Sequence, residues 1–394
     1  MLITTGHREI HSLTYFTRST QLRRESRFGV TSVRSAFIVA VGVLTIITSL
    51  LCAIPNLLAD TPGTWRPTGN MTTSRRSTGN PARLPNGKYL VVGGANTVGI
   101  DFSASVFYSS AEIYDPSTGT WSGTGSLVTG GRARHRVTAL ANGKALVTGG
   151  WNGTAALSSA ELYDPATGTF SATGSLNVAR AGHQDTLLDD GRVLITGGVN
   201  SAGSPIASAE VYDPATGTFS LTGNMAQARS GHTDSRLSNG LVLIAGGFGA
   251  GGALASAELF SPATGTFSAA RSMAHARGNH RQAVSGVGTV LITGGNDGSG
   301  PLSSSEIYDP DTNSFASGPS LNQPRQWHSM GVLPNGQVLI IGGNNHTSPD
   351  WDVQINFLAS TELYDPLTHT MTPTGSMSTG RNAESELCSG TARY

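Results

Sequence analysis

Residues 180–223 read RAGHQDTLLDDGRVLITGGVNSAGSPIASAEVYDPATGTFSLTG, and this stretch decides the fold. It contains four short segments rich in apolar or β-branched residues, separated by Gly, Pro, Asn and Asp, which is typical of strands joined by turns. The second segment is continuously apolar at its centre, as expected of a strand buried on both faces. The four predicted strands are His183–Leu188, Arg192–Thr196, Ser208–Asp213 and Thr218–Thr222.

The residues between these segments predict the connections. Asp190-Gly191 joins the first two strands, and other copies of the stretch have Asn-Gly at 86, 142, 239 and 335. Such pairs favour a two-residue type I′ hairpin turn. Gly197-Gly198 predicts a close approach of two backbones, where a side chain would clash.

The same parts recur along the chain. Gly-Gly after an apolar run begins at 93, 149, 197, 246, 294 and 342, and Glu-apolar-aromatic-(Asp/Ser)-Pro begins at 112, 161, 210, 258, 306 and 362. The two series interleave, mostly at intervals of 48 or 49 residues. Such a period is the signature of a repeat architecture in which each unit buries its faces against its neighbours.

Four strands in each period correspond to one propeller blade. The sequence therefore predicts an all-β β-propeller over residues 65–386, with six complete four-stranded blades and an irregular tail at 387–394. Trp65–Met71 matches strand four and its exit in other copies, and Met377–Arg381 opens a further copy before the pattern fails near Glu384. An incomplete seven-bladed ring is the alternative prediction.

The Gly-Gly after an apolar strand, then Glu-x-Tyr-Asp-Pro, then Trp or Phe, resembles the kelch repeat over about 310 of the 394 residues. The resemblance implies a propeller similar to the central domain of galactose oxidase. Relatives of this kind are mostly binding proteins and less often sugar-directed enzymes. Some are copper-radical oxidases that need a Tyr cross-linked to a Cys. The repeats contain no Cys, so the resemblance does not carry that copper site over.

A segment that is predicted to direct the chain to the membrane precedes the repeats. Ala36–Ile54 holds no charged residue and is long enough to cross a bilayer as a helix. Residues 1–35 carry six Arg against two Glu, so the positive-inside rule keeps them cytoplasmic and places the repeats outside. The segment 36–54 is either an uncleaved signal anchor or the apolar part of a signal peptide cut near Ala59, which would release the protein.

One set of charged and imidazole side chains recurs in almost every copy. An Arg precedes a His by three residues, and each Arg is expected to pair with the Glu of the same copy, beginning with Arg76 and Glu112. A residue that repeats in each blade serves the architecture, so we predict structural roles and no metal site. The set comprises Arg132, His135, Glu161, Arg180, His183, Glu210, Arg229, His232, Glu258, Arg277, His280, Glu306, Arg325, His328 and Glu362.

Function is expected in what does not repeat. The connection between strands two and three is long in the first copy, 95–111, and in the sixth, 344–361. Aromatic residues beside carboxylates suit a sugar or protein partner. The alternative is that these insertions only cover the seam of the ring. The candidate binding residues are Asp101, Phe102, Phe107, Tyr108, His346, Asp350, Trp351, Asp352 and Phe357.

Composition narrows the functional classes. The formal net charge is zero, so no general attraction to nucleic acid is expected. No phosphate-binding loop or catalytic triad pattern is present, and we predict no cofactor. The sequence favours a non-enzymatic binding module outside the cytoplasm that presents a propeller face to a protein or glycan. The alternatives are an extracytoplasmic carbohydrate enzyme, for which Asp350 and Asp352 are the paired carboxylates, and a purely structural or adhesive module.

Overall fold

The computed structural model describes residues 63–76, 78–96, 106–346 and 357–381. Every described residue belongs to one compact unit, Asp60–Tyr394. The basic region 1–35 and the apolar run 36–54 lie outside the described residues. Within the described part of the chain, no helix has the length and apolarity needed to cross a membrane.

The described residues form strands, turns and loops, and the strands pair into six antiparallel four-stranded sheets. In every sheet the four strands follow one another in chain order. The first three sheets comprise β1 (Ala82–Arg83), β2 (Tyr89–Val92), β3 (Ser110–Asp115) and β4 (Thr120–Ser126); β5 (Arg136–Ala139), β6 (Ala145–Thr148), β7 (Ala160–Asp164) and β8 (Thr169–Ala172); and β9 (Gln184–Leu187), β10 (Val193–Thr196), β11 (Ala209–Asp213) and β12 (Thr218–Leu221).

The other three sheets have the same order, and the fourth carries a small extra hairpin between its second and third strands. They comprise β13 (Thr233–Arg236), β14 (Val242–Ala245), the hairpin β15 (Phe248–Gly249) and β16 (Gly252–Ala253), β17 (Ala257–Ser261) and β18 (Thr266–Ala269); β19 (Arg281–Val284), β20 (Val290–Thr293), β21 (Ser305–Asp309) and β22 (Ser314–Ser317); and β23 (Ser329–Val332), β24 (Val338–Ile341), β25 (Thr361–Asp365) and β26 (Thr370–Thr374).

Each sheet is one blade of a ring. The first strands of consecutive blades, β1, β5, β9, β13, β19 and β23, lie side by side around the central channel. The prediction of an all-β propeller with six complete blades is confirmed, and the third copy has its strands within one residue of the predicted bounds.

The core lies between the blades. The second strand of a blade is buried on both faces, and Val193–Thr196 is fully inaccessible to solvent. Leu146 of blade two packs with Val193 and Tyr212 of blade three in one apolar cluster. Burial of each such side chain contributes about 1.5–3 kcal/mol, so neighbouring blades stabilise one another. In blade three the outer strand adds Phe219, whose ring centroid lies 4.7 Å from that of Tyr212.

The predicted type I′ turn between strands one and two is wrong. In blade three only Gly191 has a positive φ, 85°, and its N–H donates to the carbonyl of Leu188. The backbone N–H of Leu188 in turn donates to the carbonyl of Arg192. This is the three-residue hairpin, a type I turn followed by a left-handed glycine. Asp190 keeps a negative φ, and its side-chain oxygen accepts the N–H of Arg192.

The two ends of the repeat region keep the contacts of the repeat. The N–H of Gly69 donates to the carbonyl of Gly119, as Gly125 does to Gly168 one blade further on. The indole of Trp65 donates to the carbonyl of Gly375 at 3.0 Å, which ties the N-terminal piece to the exit of blade six. The end of the pattern around Glu384 and the tail 387–394 lie outside the described residues.

Candidate ligand site at the mouth of the central channel

The antiparallel order gives the propeller two different faces. We call the face that carries the two-three loops and the links from strand four to the next blade the loop face. The opposite face carries the one-two and three-four hairpin turns, and we call it the turn face. Both long insertions rise from the loop face, since the bridges Ala95↔Phe107 and Asn344↔Phe357 close their bases there.

A buried ion pair fixes each link to its blade. In the link before blade three, Arg180 Nη2 lies 2.9 Å from Glu210 Oε1, and its Nη1 donates to the carbonyls of Gly197 and Ser208. The carboxylate of Glu210 also accepts the backbone N–H groups of Asn177 and Val178. Both charges are therefore surrounded by hydrogen-bonding partners, which a buried ion pair requires.

The same contact recurs around the ring. Five pairs involve the predicted partners, namely Arg132–Glu161, Arg180–Glu210, Arg229–Glu258, Arg277–Glu306 and Arg325–Glu362, at 2.6–3.4 Å. In the first copy the prediction of Arg76 is wrong, because Arg75 pairs with Glu112 at 2.8 Å. Arg75 follows Met71 by four residues, as Arg180 follows Leu176, and this spacing identifies it. Arg76 instead lies over the ring of Phe357.

The repeated histidines connect neighbouring blades. His183 Nε2 and the hydroxyl of Thr148, at the end of the second strand of the preceding blade, are 2.9 Å apart, and His232 and His328 make equivalent contacts. His280 instead contacts the hydroxyl of Thr233, on the first strand of the preceding blade. Burial lowers the pKa of these imidazoles well below the usual value, and that of His135 to about 3. They are neutral at physiological pH. No group of three His, Cys, Asp or Glu side chains within the described ranges is arranged to hold a metal ion.

The Gly-Gly pair lets the next blade approach. Gly149 has φ 53°, and a Cβ on it would lie 2.6 Å from the carbonyl oxygen of Arg180 and 2.9 Å from His183 Cε1. Any side chain at this position would push the link of blade three away.

A cavity of about 210 Å³ opens at the mouth of the central channel on the loop face. Its lining comes mainly from the residues between or next to the repeated Arg and His, and from residues that follow the Gly-Gly pairs. The lining comprises Gly79, Asn80, Arg134, His135, Arg136, Ala181, Gly182, Gln184, Val199, Ser230, Gly231, Phe248, Asn279, Arg281 and Trp327.

The rim of this cavity has an unusual backbone. The second residue after the repeated Arg is left-handed in five copies, and two of them have the expected glycine, Gly182 and Gly231. The other three have Arg134, Asn279 and Trp327, at φ 54°, 55° and 50°. A left-handed residue with a side chain costs about 1–2 kcal/mol. Such strain is a feature of binding sites, where it holds a side chain in a position that function requires.

Hydrogen bonds fix the rim in this conformation. The N–H of Gly182 donates to the carbonyl of Arg134, that of Asn279 to Gly231, and that of Trp327 to Asn279. The link of one blade is thereby bonded to the link of the next. The backbone of the rim is rigid, while its side chains differ from copy to copy.

The lining is positively charged. It contains the three guanidinium groups of Arg134, Arg136 and Arg281 and no carboxylate. Two carboxylates lie on the inner strands nearby. Asp234 accepts the hydroxyl of Thr196 at 2.8 Å, and burial raises its pKa to about 7. Asp185 accepts the hydroxyl of Thr138, and burial raises its pKa too.

The cavity does not include the candidate binding residues predicted from the sequence. Phe107, Tyr108, His346 and Phe357 are described, and none of them lines it. Tyr108 lies beneath the guanidinium of Arg75, 5.5 Å from its ring centroid, and its backbone bonds to Gly94. Asp101, Phe102, Asp350, Trp351 and Asp352 lie outside the described residues. The sequence feature that could have indicated the cavity is the variation in residue type at the second position after the repeated Arg. A search for recurring residues does not detect such variation.

Comparison with known proteins gives the fold a family context. Residues 132–177, 186–226 and 280–322, which correspond to blades two, three and five, match the Kelch motif. No curated protein sequence is significantly similar to the chain. The predicted kelch-type propeller is confirmed by these matches and by the six blades.

A solved structure with the same fold is that of a novel fungal alcohol oxidase of the AA5 family in complex with copper. It is 18% identical, with a TM-score of 0.66, over 82% of this chain and 69% of that one. In all, 677 solved chains match, so the likeness identifies the fold and no activity. The described residues do not fit a copper centre, because four of the five repeated histidines already direct Nε2 to a Thr hydroxyl.

Proposed function

We propose that the chain is a non-enzymatic binding module outside the cytoplasm, and that a protein or glycan partner binds to its loop face at the central cavity. The cavity is the observation that carries the proposal. There, side chains that vary between copies replace the repeated ones, and three of them are kept in a left-handed backbone. The recurring Arg and Glu side chains, and four of the five recurring histidines, are occupied in contacts within and between blades.

The kelch propeller is a scaffold suited to interaction, since its blades form a rigid ring and its loops vary. The two long insertions start from the same face as the cavity. Their candidate residues, Asp101, Phe102, Asp350, Trp351 and Asp352 among them, would then extend the binding surface around the mouth. A macromolecular partner would contact both parts.

The proposed location follows from the apolar run 36–54 and the basic residues before it. The full chain would be anchored in the membrane with the propeller outside, or secreted if it is cut near Ala59. Protease added to intact cells should digest an anchored propeller, whereas a cytoplasmic marker protein survives. Protection of the propeller in intact cells, with digestion after lysis, would contradict this location.

The binding proposal is tested with the full chain, purified in mild detergent, on arrays of glycans and of proteins. The wild type is compared with Trp327→Gly, which removes the largest side chain of the rim. The matched control is Leu367→Ser, a strongly exposed apolar residue in a turn of blade six on the turn face. Binding that is lost in Trp327→Gly and kept in the control supports the proposal. Binding that both variants retain would place the partner elsewhere.

An extracytoplasmic carbohydrate enzyme, a sugar epimerase or an oxidase-like enzyme, is the second candidate, and the paired carboxylates Asp350 and Asp352 of the insertion in the sixth copy are its support. The distinguishing measurement is turnover of any glycan that binds. Chemical conversion of a bound sugar, lost in Asp350→Ala but not in Leu367→Ser, would replace the binding proposal with an enzymatic one.

A further inference from the structure

We propose that the central cavity binds the carboxylate of an acidic sugar residue. This inference rests on the proposed binding function and names the chemistry of the ligand. Three guanidinium groups line the cavity and no carboxylate does. An anion entering there would meet a concentration of positive charge in a chain whose formal net charge is zero.

Arg136 is the best placed of the three. It is half-buried at the start of β5, and its Nε donates to the carbonyl of His183 at 2.6 Å. This bond to the next blade orients the side chain. Within the described residues, the two terminal amino groups of Arg136 make no hydrogen bond, and the carboxylate of Asp185 interacts with the guanidinium through its charge alone. A guanidinium with both terminal groups available matches the two oxygens of a carboxylate in a bidentate contact.

Arg281 and Arg134 add charge on either side. Arg281 Nη1 donates to the carbonyl of His280 at 3.3 Å, and Arg134 is exposed on the rim. Both have further interactions within the protein, so they are held in place rather than loose on the surface. The carboxylates of Asp185 and Asp234 on the inner strands offset part of this charge. Three guanidinium groups still outnumber two carboxylates, one of which is partly protonated near neutral pH.

The remaining lining favours a sugar as the carrier of the carboxylate. Trp327 and Phe248 present aromatic rings, on which the apolar face of a sugar ring packs. Asn279 and Gln184 carry amide groups, which both donate and accept hydrogen bonds as sugar hydroxyls do. The volume of about 210 Å³ is below the ~300–1,000 Å³ of pockets for drug-sized ligands, which suits a single ring.

An acidic peptide is the competing ligand, and the lining fits it less well. Ionised Asp and Glu side chains only accept hydrogen bonds. The amide oxygens of Asn279 and Gln184 would then find donors only among the backbone N–H groups of the peptide, which are fewer than the hydroxyls of a sugar ring. A hydroxylated sugar ring beside its carboxylate satisfies both kinds of group.

The test uses the full chain in mild detergent and isothermal titration calorimetry. The probes are a short galacturonic acid oligomer, the neutral galactose oligomer, a sulfated galactose oligomer and a glutamate-rich peptide. We expect the uronate to bind and the neutral oligomer to bind at least 10-fold more weakly. Added salt should weaken uronate binding, because the contact is ionic.

Two variants locate the site. Arg136→Gln should weaken uronate binding about 10-fold, as expected for the loss of its charged contact with the carboxylate. Arg281→Gln should weaken it less, because it removes only a neighbouring positive charge. The matched control is Arg236→Gln, which removes the same charge from an exposed ion pair with Asp189 on the turn face. It should bind as the wild type does. Thermal unfolding of each variant shows that the propeller is intact, and two independent site variants protect against the failure of one to fold.

The outcomes separate the two proposals. Uronate binding that is equal in all three variants would overturn the inference. Preference for the sulfated oligomer would overturn the carboxylate assignment, and preference for the peptide would overturn the sugar assignment. Binding of a neutral glycan that depends on Trp327 would overturn the inference and leave the binding function standing. If neither these probes nor the arrays yield a ligand, both proposals fail.

Discussion

The guanidinium of Arg180 and the carboxylate of Glu210 lie 2.9 Å apart, and neither side chain is accessible to solvent. The pair joins the link that leaves blade two to the third strand of blade three. Because five further copies of this contact surround the ring, the links hold the blades in register. The loop face, which carries the cavity, is built on this series of ion pairs.

Removal of one partner should be strongly destabilising. We expect Arg180→Met to lower the free energy of unfolding by about 3–5 kcal/mol, since Glu210 keeps a buried charge without its partner. Urea denaturation measures the change. The control is Arg192→Met, which breaks an exposed pair with Asp190 and should leave the midpoint almost unchanged. Similar midpoints for the two variants would contradict the structural role of the pair.

The Gly-Gly contact predicts a position-specific effect of one methyl group. Gly149→Ala should destabilise the protein more than Gly119→Ala does. Both glycines have a positive φ, 53° and 70°, but only at Gly149 would the new Cβ meet a backbone oxygen, that of Arg180. At Gly119 nothing lies within 4 Å, so only the backbone strain of about 1–2 kcal/mol applies. Equal thermal midpoints would show that the blades adjust to the methyl group.

The buried histidines predict a loss of stability in acid. Their pKa values are lowered in the folded state, so below about pH 6.5 the unfolded chain binds protons that the folded chain does not. Each histidine contributes a slope of up to about 1.4 kcal/mol per pH unit. His183→Gln should reduce the slope of unfolding free energy against pH, whereas Leu367→Ser, which changes an exposed residue without a titratable group, should not. An unchanged slope in both would contradict the burial argument.

Asp234 predicts the opposite dependence. Its pKa is raised to about 7 by burial, so the folded state binds a proton more tightly than the unfolded state between about pH 4 and pH 7. Its contribution to stability is therefore present in acid and lost as the pH rises through 7. Asp234→Asn should stabilise the protein above about pH 7, and the gain over wild type should shrink toward about pH 4. A difference that does not vary with pH would show that Asp234 is already ionised when folded.

The left-handed rim predicts a conflict between stability and binding. Arg134→Gly should raise the free energy of unfolding by about 1 kcal/mol, because glycine adopts this φ without strain. Gly182→Ala, at the equivalent position of blade three, should lower it by a similar amount. Thermal unfolding measures both changes. Arg134→Gly should also weaken ligand binding. A variant that is less stable than the wild type would mean that Arg134 contributes more through its contacts than it loses by strain.

The fold was accessible from the sequence because each blade repeats the same local signals. Pro and Gly mark the turns, an apolar strand lies before each Gly-Gly pair, and Glu161 or Glu210 recurs in register with its Arg. The type I′ turn was mispredicted because the Asn-Gly pair also suits the three-residue hairpin, in which only the glycine is left-handed. The prediction of Arg76 is wrong because Arg76 keeps the 17-residue distance to the Gly-Gly pair seen in other copies, whereas Arg75 keeps the distance from Met71, and the second spacing decides the ion pair.

The cavity was not accessible in the same way. Comparison of the copies emphasises positions at which the same residue type recurs. Arg134, Asn279 and Trp327 occupy equivalent positions but differ in residue type. Their convergence depends on closure of the ring, which brings residues from blades two, five and six to one mouth. The sequence instead favours the large loops with aromatic residues as the binding site. The described parts of those loops, Tyr108 for example, serve the packing of the blades.

In the rigid rim described above, the backbone conformation is the same whichever residue type occupies the position. Five positions, 134, 182, 231, 279 and 327, share one backbone conformation, and hydrogen bonds between links fix several of them in place. A substitution at one of them changes the chemistry of the mouth without moving its neighbours, at the energetic penalty of a single residue. Within the described residues, blades two to six therefore each supply one position whose side chain sets the chemistry of the mouth. Substitution at one blade at a time would give the mouth new binding specificities, beginning at Gly182 and Gly231, the two positions that carry no side chain.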